Sequence, residues 1–256
     1  MITSVQNPRI QLVRALLGRS RKRRGENAMV VEGVRLVEEA HAAGWKFRFV
    51  LYSESLSERG NALLTLLKEE GVEMEEAAAS LLDSAASTRT SQGLLAVVEK
   101  KDLPMPPDPD LVLILDGIRD PGNLGSLLRS AAAAGAQAVL QTPGSADPLA
   151  PKVLRSGMGA HFKLPIQLMD WEAIKTSLPG FQFVSAEMEA DLTCWQADLR
   201  GKLAIIIGGE AEGAGEGIRA VNPTAVRIPM HPGTESLNAA AAGSVLLFEA
   251  RRQRES

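Results

Sequence analysis

The sequence predicts an α/β protein in two parts: a small α/β unit, then a larger unit built round a parallel sheet. Three stretches carry this prediction. LVLILDG (111–117) is a continuous apolar run, the pattern of a strand buried on both faces. DPGNLGSLLRSAAAAGAQAVLQT follows it. There a loop, a helical pattern from about Asn123, a stop at Gly135 and a second apolar run from Ala138 to Gln141 make a βαβ unit. KKDLPMPPDPD (100–110) sets prolines at 104, 106, 107 and 109, where neither helix nor central strand can form, and reads as an extended linker. The expected organisation is a unit at 1–99, a linker at 100–110 and a second unit at 111–256.

Within the first unit, Met29 to Val31 is a short apolar strand, and an amphipathic helix follows it and ends near Gly44. FRFVLYS alternates as a half-buried strand does, ALLTLLKEEG is a helix with a glycine stop, and GLLAVVEK is a closing strand. In the second unit FQFVSAE and LAIIIGG are two more buried strands. Parallel sheets bind ligands at the carboxyl ends of their strands. The loops DGIRDPGNLG, GGEAEGAGEG and PMHPGTESLN, rich in glycine and polar residues, are therefore expected to build the site. The last helix is unusual. In RIPMHPGTESLNAAAAGSVLLFEARRQ a polar Ser-Leu-Asn runs straight into four alanines and Gly243. A surface helix needs no such run. Residues this small let a helix backbone sit close against its neighbours, although a plain Ala-rich packing helix has the same composition.

Composition narrows the function classes. The 256 residues are 45% hydrophobic and 23% charged, as in an ordinary globular protein, and only 4% are aromatic, too few for a nucleic-acid surface built on stacking. The net charge of −3 hides an asymmetry: from Met1 to Gly25 there are seven basic residues and no acidic one. Five of them, Arg19, Arg21, Lys22, Arg23 and Arg24, form a local patch suited to phosphate, or a solvated basic helix end. A single cysteine, Cys194, excludes an internal disulfide. His41, His161 and His231 lack metal-ligand spacing, so no metal is expected. No apolar run reaches the roughly 20 residues that span a bilayer, and the N-terminus lacks an apolar signal core. No membrane association is expected, and a cytoplasmic location is.

The three loops carry a resemblance. Asn123, Gly125 and Arg129 stand in DPGNLGSLLR. Gly208, Gly209, Glu210 and Gly213 follow an apolar strand. Ile228, Pro229 and Met230 lead through a loop to Ser236, Leu237 and Asn238 and a helix that opens on small residues. In order and spacing these are the three motifs of the SpoU-type RNA ribose methyltransferases of the SPOUT superfamily (TrmH-like proteins). APKVLRSGMGAHFKLPI (150–166) resembles the family's segment between its first two motifs, and VVEGVRLVEEA and SQGLLAVVE resemble its small N-terminal substrate-binding domain. The resemblance covers nearly the whole chain. Two departures, Ala214-Gly215 in motif two and Asn-Ala-Ala-Ala-Ala in motif three, make the site smaller-sided.

The resemblance implies a parallel-sheet fold whose last helix threads a loop into a trefoil knot, a homodimer, and transfer of a methyl group from S-adenosylmethionine to a ribose 2′-hydroxyl of RNA, with ribosomal RNA favoured over transfer RNA. It assigns catalysis to Arg129, Asn123, Glu210, Ser236 and Asn238. Arg129 holds a phosphate and stabilises developing alkoxide more readily than it acts as a base, since guanidinium keeps its proton. Asn123 orients Arg129 or substrate, or is the N-cap of its helix. Glu210 fixes an arginine or a neighbouring loop. Ser236 and Asn238 offer polar groups to substrate or loop, and Ser236 is the expected cap of the last helix. Gly208, Gly209, Ile228, Met230 and Leu237 line the cofactor slot, and the basic stretch contacts RNA phosphates. Two other readings stay open: a catalytically silent RNA-binding protein of the same fold, which would ignore S-adenosylmethionine, and a nucleotide-binding oxidoreductase, against which stands the poor fit of GGEAEGAGEG to a dinucleotide fingerprint.

Overall fold

A computed structural model describes residues 1–88, 91–209 and 216–255. The chain makes two compact units, one of 1–101 with 149–162 and one of 102–148 with the residues from 163 onward. In the first, α1 (Pro8–Gly18), α2 (Ser20–Glu26), β1 (Ala28–Glu32), α3 (Val34–Ala42), β2 (Phe47–Tyr52), α4 (Glu58–Glu69), β3 (Met74–Glu76), α5 (Ala79–Ala85) and β4 (Leu94–Glu99) follow one another. The strands form a mixed sheet in the order β1-β4-β2-β3. Side chains alternate across a strand, which is why β1 and β4 read as unbroken apolar runs. Met29, Val31, Leu94, Ala96 and Val98 meet α3 and α4 on one face. Ala28, Val30, Leu95 and Val97 meet α1 and α5 on the other.

No helix or strand occurs in 100–110. The second unit begins with β5 (Leu111–Asp116), α6 (Pro121–Ala134) and β6 (Ala138–Gln141). Then α7 (Pro151–Gly157) and a 3-10 turn (Ala160–Phe162) return to the first unit. The sequence reading places this segment with the second unit, but its packing puts it in the first. Leu154 and Phe162 are buried in the core around Met29 and Val37. Phe162 meets Trp45 edge-on at 5.2 Å, and the Trp45 indole N–H donates to the Phe162 carbonyl at 3.2 Å. No pattern local to 149–162 encodes the destination, because the partner lies over a hundred positions upstream.

The chain re-enters the second unit as β7 (Ile166–Leu168), α8 (Trp171–Ser177), β8 (Gln182–Ala186), β9 (Leu203–Gly208), α9 (Glu216–Ala220), β10 (Thr224–Val226) and α10 (Ala239–Arg254). Its six strands run in the order β10-β8-β9-β5-β6-β7, and every pairing is parallel. Alternate residues of β5, β6 and β9 pack on Ile174 of α8, on Leu178 just after it and on Ile218 of α9. α10 packs against α6, β8 and β9. Gly243 explains the closeness: a Cβ there would stand 2.4 Å from Leu127 of α6 and 3.1 Å from Ile207 of β9. Small residues make room here for the meeting of two helices and a strand. Ser130 and Ser244 hydrogen-bond across the two helices at 2.7 Å. At the far end Arg251 donates to the Ala133 carbonyl at 2.7 Å, and Gln253 accepts from the Leu199 N–H at 2.9 Å.

Candidate active site

Because the strands are parallel, the carboxyl ends of β5, β9 and β10 lie on the same side of the sheet. The loop after β5 opens α6. Asp120 is the N-cap, its carboxylate accepting the Asn123 N–H at 2.8 Å, with Pro121 in the first turn where its missing N–H costs nothing. The helix therefore starts before Asn123, and Asn123 is not its cap. Arg129 lies six residues on, about 9 Å further along the axis. Its side chain is exposed and has no hydrogen bond or ion pair among the described residues. No bond joins it to Asn123, so the expected orientation of Arg129 by Asn123 is absent from this geometry.

What Asn123 touches is motif three. Asn238 is the N-cap of α10: its Oδ1 accepts the N–H groups of Ala240 at 2.9 Å and Ala241 at 3.3 Å. The cap belongs to Asn238, not to Ser236, whose exposed hydroxyl has no partner among the described residues. The cap fixes the amide. An atom facing two N–H groups must be oxygen, so the other end of Asn238 is Nδ2, and it donates to Asn123 Oδ1 at 2.8 Å. Asn123 is thereby turned as well, with its own Nδ2 left as a fixed donor. Two helix starts, the cap of one and the third residue of the other, are locked by one hydrogen bond. The Asn123 amide is thus an N–H donor held at the meeting of two helix starts, a group suited to an oxygen that is negative or becoming so. Glu210, the assigned acidic partner, lies outside the described residues.

The cofactor positions gather differently. β9 runs past its pairing with β8, which ends at Ile206, while Gly208 still faces Asp116 of β5. Gly208 has open space where a Cβ would stand. Gly209 cannot carry a side chain, since a Cβ would lie 2.5 Å from the Gly117 carbonyl. Ile228 and Met230 are half-buried, and Leu237 is 37% exposed, well short of core packing. Open backbone at a strand end, with apolar side chains left out of the core, fits a flat heteroaromatic ring such as the adenine of S-adenosylmethionine.

The basic stretch is divided. Arg21 and Arg24 are exposed on α2, as is Arg19 just before it, and none has a side-chain partner among the described residues. Lys22 is exposed and pairs with Glu26 at 2.7 Å. Arg23 is a correction: it is buried, and its guanidinium donates to the Leu16 carbonyl at 2.5 Å at the end of α1. Helix ends leave carbonyls unpaired, and Arg23 serves that need and not RNA. Arg9, further upstream, is held by Glu73 and Glu75 and lies over Phe49.

Sequence reasoning missed Asp116 and Thr142. Thr142 donates its hydroxyl to Asp116 Oδ1 at 2.6 Å and accepts the Gly117 N–H at 3.2 Å, joining the ends of β5 and β6. The signal was present, since an acidic residue closing an apolar run marks where a strand leaves the sheet. Among the described residues no group of three acidic, His or Cys side chains could hold a metal ion, and no helix is long and apolar enough to cross a membrane.

This parallel sheet matches a known class. The model of the SpoU rRNA Methylase family covers residues 110–248, and that of the MRM3-like substrate binding domain covers 7–96. The chain belongs to the SpoU rRNA methylase family. It is 34% identical to the 23S rRNA (uridine(2479)-2′-O)-methyltransferase of Streptomyces viridochromogenes over 100% of this chain and 93% of that one. It is 33% identical to an uncharacterized tRNA/rRNA methyltransferase of Synechocystis over 98% and 93%. Among solved structures, the SpoU methyltransferase AviRb of S. viridochromogenes with AdoMet superposes with a TM-score of 0.84 at 32% identity, covering 96% of this chain and 98% of that one.

Proposed function

We propose that this protein transfers the methyl group of S-adenosylmethionine to a ribose 2′-hydroxyl of ribosomal RNA. The observation that carries the reading is the Asn238–Asn123 hydrogen bond, which fixes the Asn123 amide as a donor between two of the segments that bear the family's motifs. Relatives named for 2′-O-methylation of 23S rRNA support the choice of substrate. S-adenosylmethionine supplies the electrophilic methyl group. The chain's part is placement and charge. The Arg129 guanidinium holds a phosphate beside the target ribose and stabilises the negative charge that grows on its oxygen as the hydroxyl proton passes to water. The Asn123 amide donates to the same oxygen. Gly208, Gly209, Ile228, Met230 and Leu237 form the cofactor slot, Ser236 faces substrate, and Glu210 anchors a neighbouring group.

In this reading residues 1–99 are an RNA-binding domain joined by the 100–110 linker to a catalytic domain at 111–256. Arg19, Arg21 and Arg24 meet phosphates, which position RNA without specifying sequence. The protein is a cytoplasmic homodimer whose α10 passes through the knot of the family fold. The test gives purified protein labelled S-adenosylmethionine with ribosomal and transfer RNA pools from cells lacking the gene, beside R129A. Label in ribosomal RNA, on ribose after digestion and reduced roughly 10²–10³-fold in R129A, is the expected result. Label in transfer RNA would overturn the substrate. RNA bound with no label in either pool would favour the silent RNA-binding protein.

A further inference from the structure

Motif two has two glycines at the end of β9 and no side chain there to hold them. Glycine backbone is costly to order, so something else must fix it. On one side the Gly209 N–H donates to the Asp116 carbonyl at 2.8 Å. On the other side Gly217, in α9, lies against the indole of Trp171, so close that a Cβ would stand 1.9 Å from Cδ1. The Trp171 indole N–H donates at 3.2 Å to Asp116 Oδ1, the same oxygen that accepts the Thr142 hydroxyl. Both described flanks of motif two are thus tied to one residue, one through its carbonyl and the other through its carboxylate and a tryptophan. Trp171 is itself held, at the first position of α8, where Asp170 caps the helix by accepting the Ala173 N–H at 2.8 Å.

We propose that Asp116 and Trp171 are positioning residues, a strut that sets the spacing of the Gly209 and Gly217 flanks and so pre-forms the slot for S-adenosylmethionine. The proposal rests on the reading of these loops as the cofactor site. A slot ordered before binding does not charge the ligand for ordering it. Loosening the strut therefore weakens cofactor affinity and leaves the chemistry of the bound complex nearly intact.

W171F removes the indole N–H and part of the ring system, and leaves a smaller aromatic ring facing Gly217. Calorimetric titration with S-adenosylmethionine should show affinity about tenfold weaker, as expected for a lost hydrogen bond to a carboxylate. The kcat at saturating cofactor should stay within about twofold, and ribosomal RNA binding in a gel-shift assay should not change. G217A, which drives a methyl group into the indole, should weaken the cofactor further. Cofactor-dependent tryptophan emission should persist in W195F, whose indole is 51% exposed elsewhere, and vanish in W171F. Wild-type affinity in both W171F and G217A overturns the proposal. So does a parallel fall in RNA binding, cofactor binding and Tm, which would mean a loss of general stability. Wild-type protein that binds no S-adenosylmethionine would instead overturn the functional reading on which the strut depends.

Discussion

Changing Asn238 to Asp separates two duties that the wild-type side chain performs together. Asp is as good an N-cap as Asn, and its charge suits a helix N-terminus by about 0.3–1 kcal/mol. The Ala240 and Ala241 N–H groups keep their acceptor, so stability should change by less than about 1 kcal/mol. The second oxygen, however, replaces a donor 2.8 Å from Asn123 Oδ1. Two acceptors cannot sit there, so the Asn123 amide turns over and sends its oxygen outward. The site then offers an acceptor where it offered a donor. Leaving the substrate oxygen facing an unpaired acceptor costs roughly 1–3 kcal/mol, or about 5- to 150-fold in kcat/KM. N238A should lose both duties: the same order of activity, and about 1 kcal/mol of cap. Labelled methyl transfer beside thermal unfolding measures the pair. N238D that methylates RNA at the wild-type rate would refute the amide relay. N238D that melts as low as N238A would refute the assignment of the cap.

Three further outcomes follow from the geometry. R129K keeps the charge but loses the planar fork, and should lower kcat about 10- to 100-fold with KM for the cofactor unchanged in steady-state assays. G243A gains helix propensity of about 1 kcal/mol, but its methyl group must displace Leu127 and Ile207, a cost of roughly 1–3 kcal/mol; a net Tm decrease of a few degrees is expected, and an increase would mean that Leu127 yields. Glu249 is buried on α10, where the Arg252 guanidinium, with help from Gln253, holds its carboxyl below its ordinary range against the opposing effect of burial. An acid whose folded pKa is depressed adds stability above its unfolded pKa and loses it as pH falls through the folded value. Stability should therefore decline below about pH 4.3, and E249Q should flatten that decline in acid titrations followed by circular dichroism.

The central strands β1, β4, β5 and β9 were legible because burial on both faces writes an unbroken apolar run. β3, β7 and β10 were not. Each has three residues, each lies at a sheet edge, and all but Val226 are half-buried or exposed, so MEE at 74–76 has no apolar period to read. α6 starts at Pro121, two residues before Asn123, because Asp120-Pro121 is itself a cap signal that competes with the asparagine. Motif spacing correctly brought Asn123 and Asn238 to one edge, but not the bond between them. That bond depends on which asparagine amide a helix start consumes, and this is a fact of tertiary geometry. Arg23 shows the opposite limit. In sequence it is one arginine among four neighbours, and only the turn from α1 into α2 sets it apart, by aiming it at orphaned carbonyls.

The return of residues 149–162 to the first unit has a consequence for synthesis. The ribosome delivers the chain from the N-terminus, and Trp45 waits for Phe162, a partner 117 positions later. Until then Leu154 and Phe162 are missing from the core over Met29 and Val37. The first unit to emerge is therefore completed only after part of the second has been made: β5, α6 and β6 leave the ribosome before it closes. A fragment ending at the proline linker would be born with an open core.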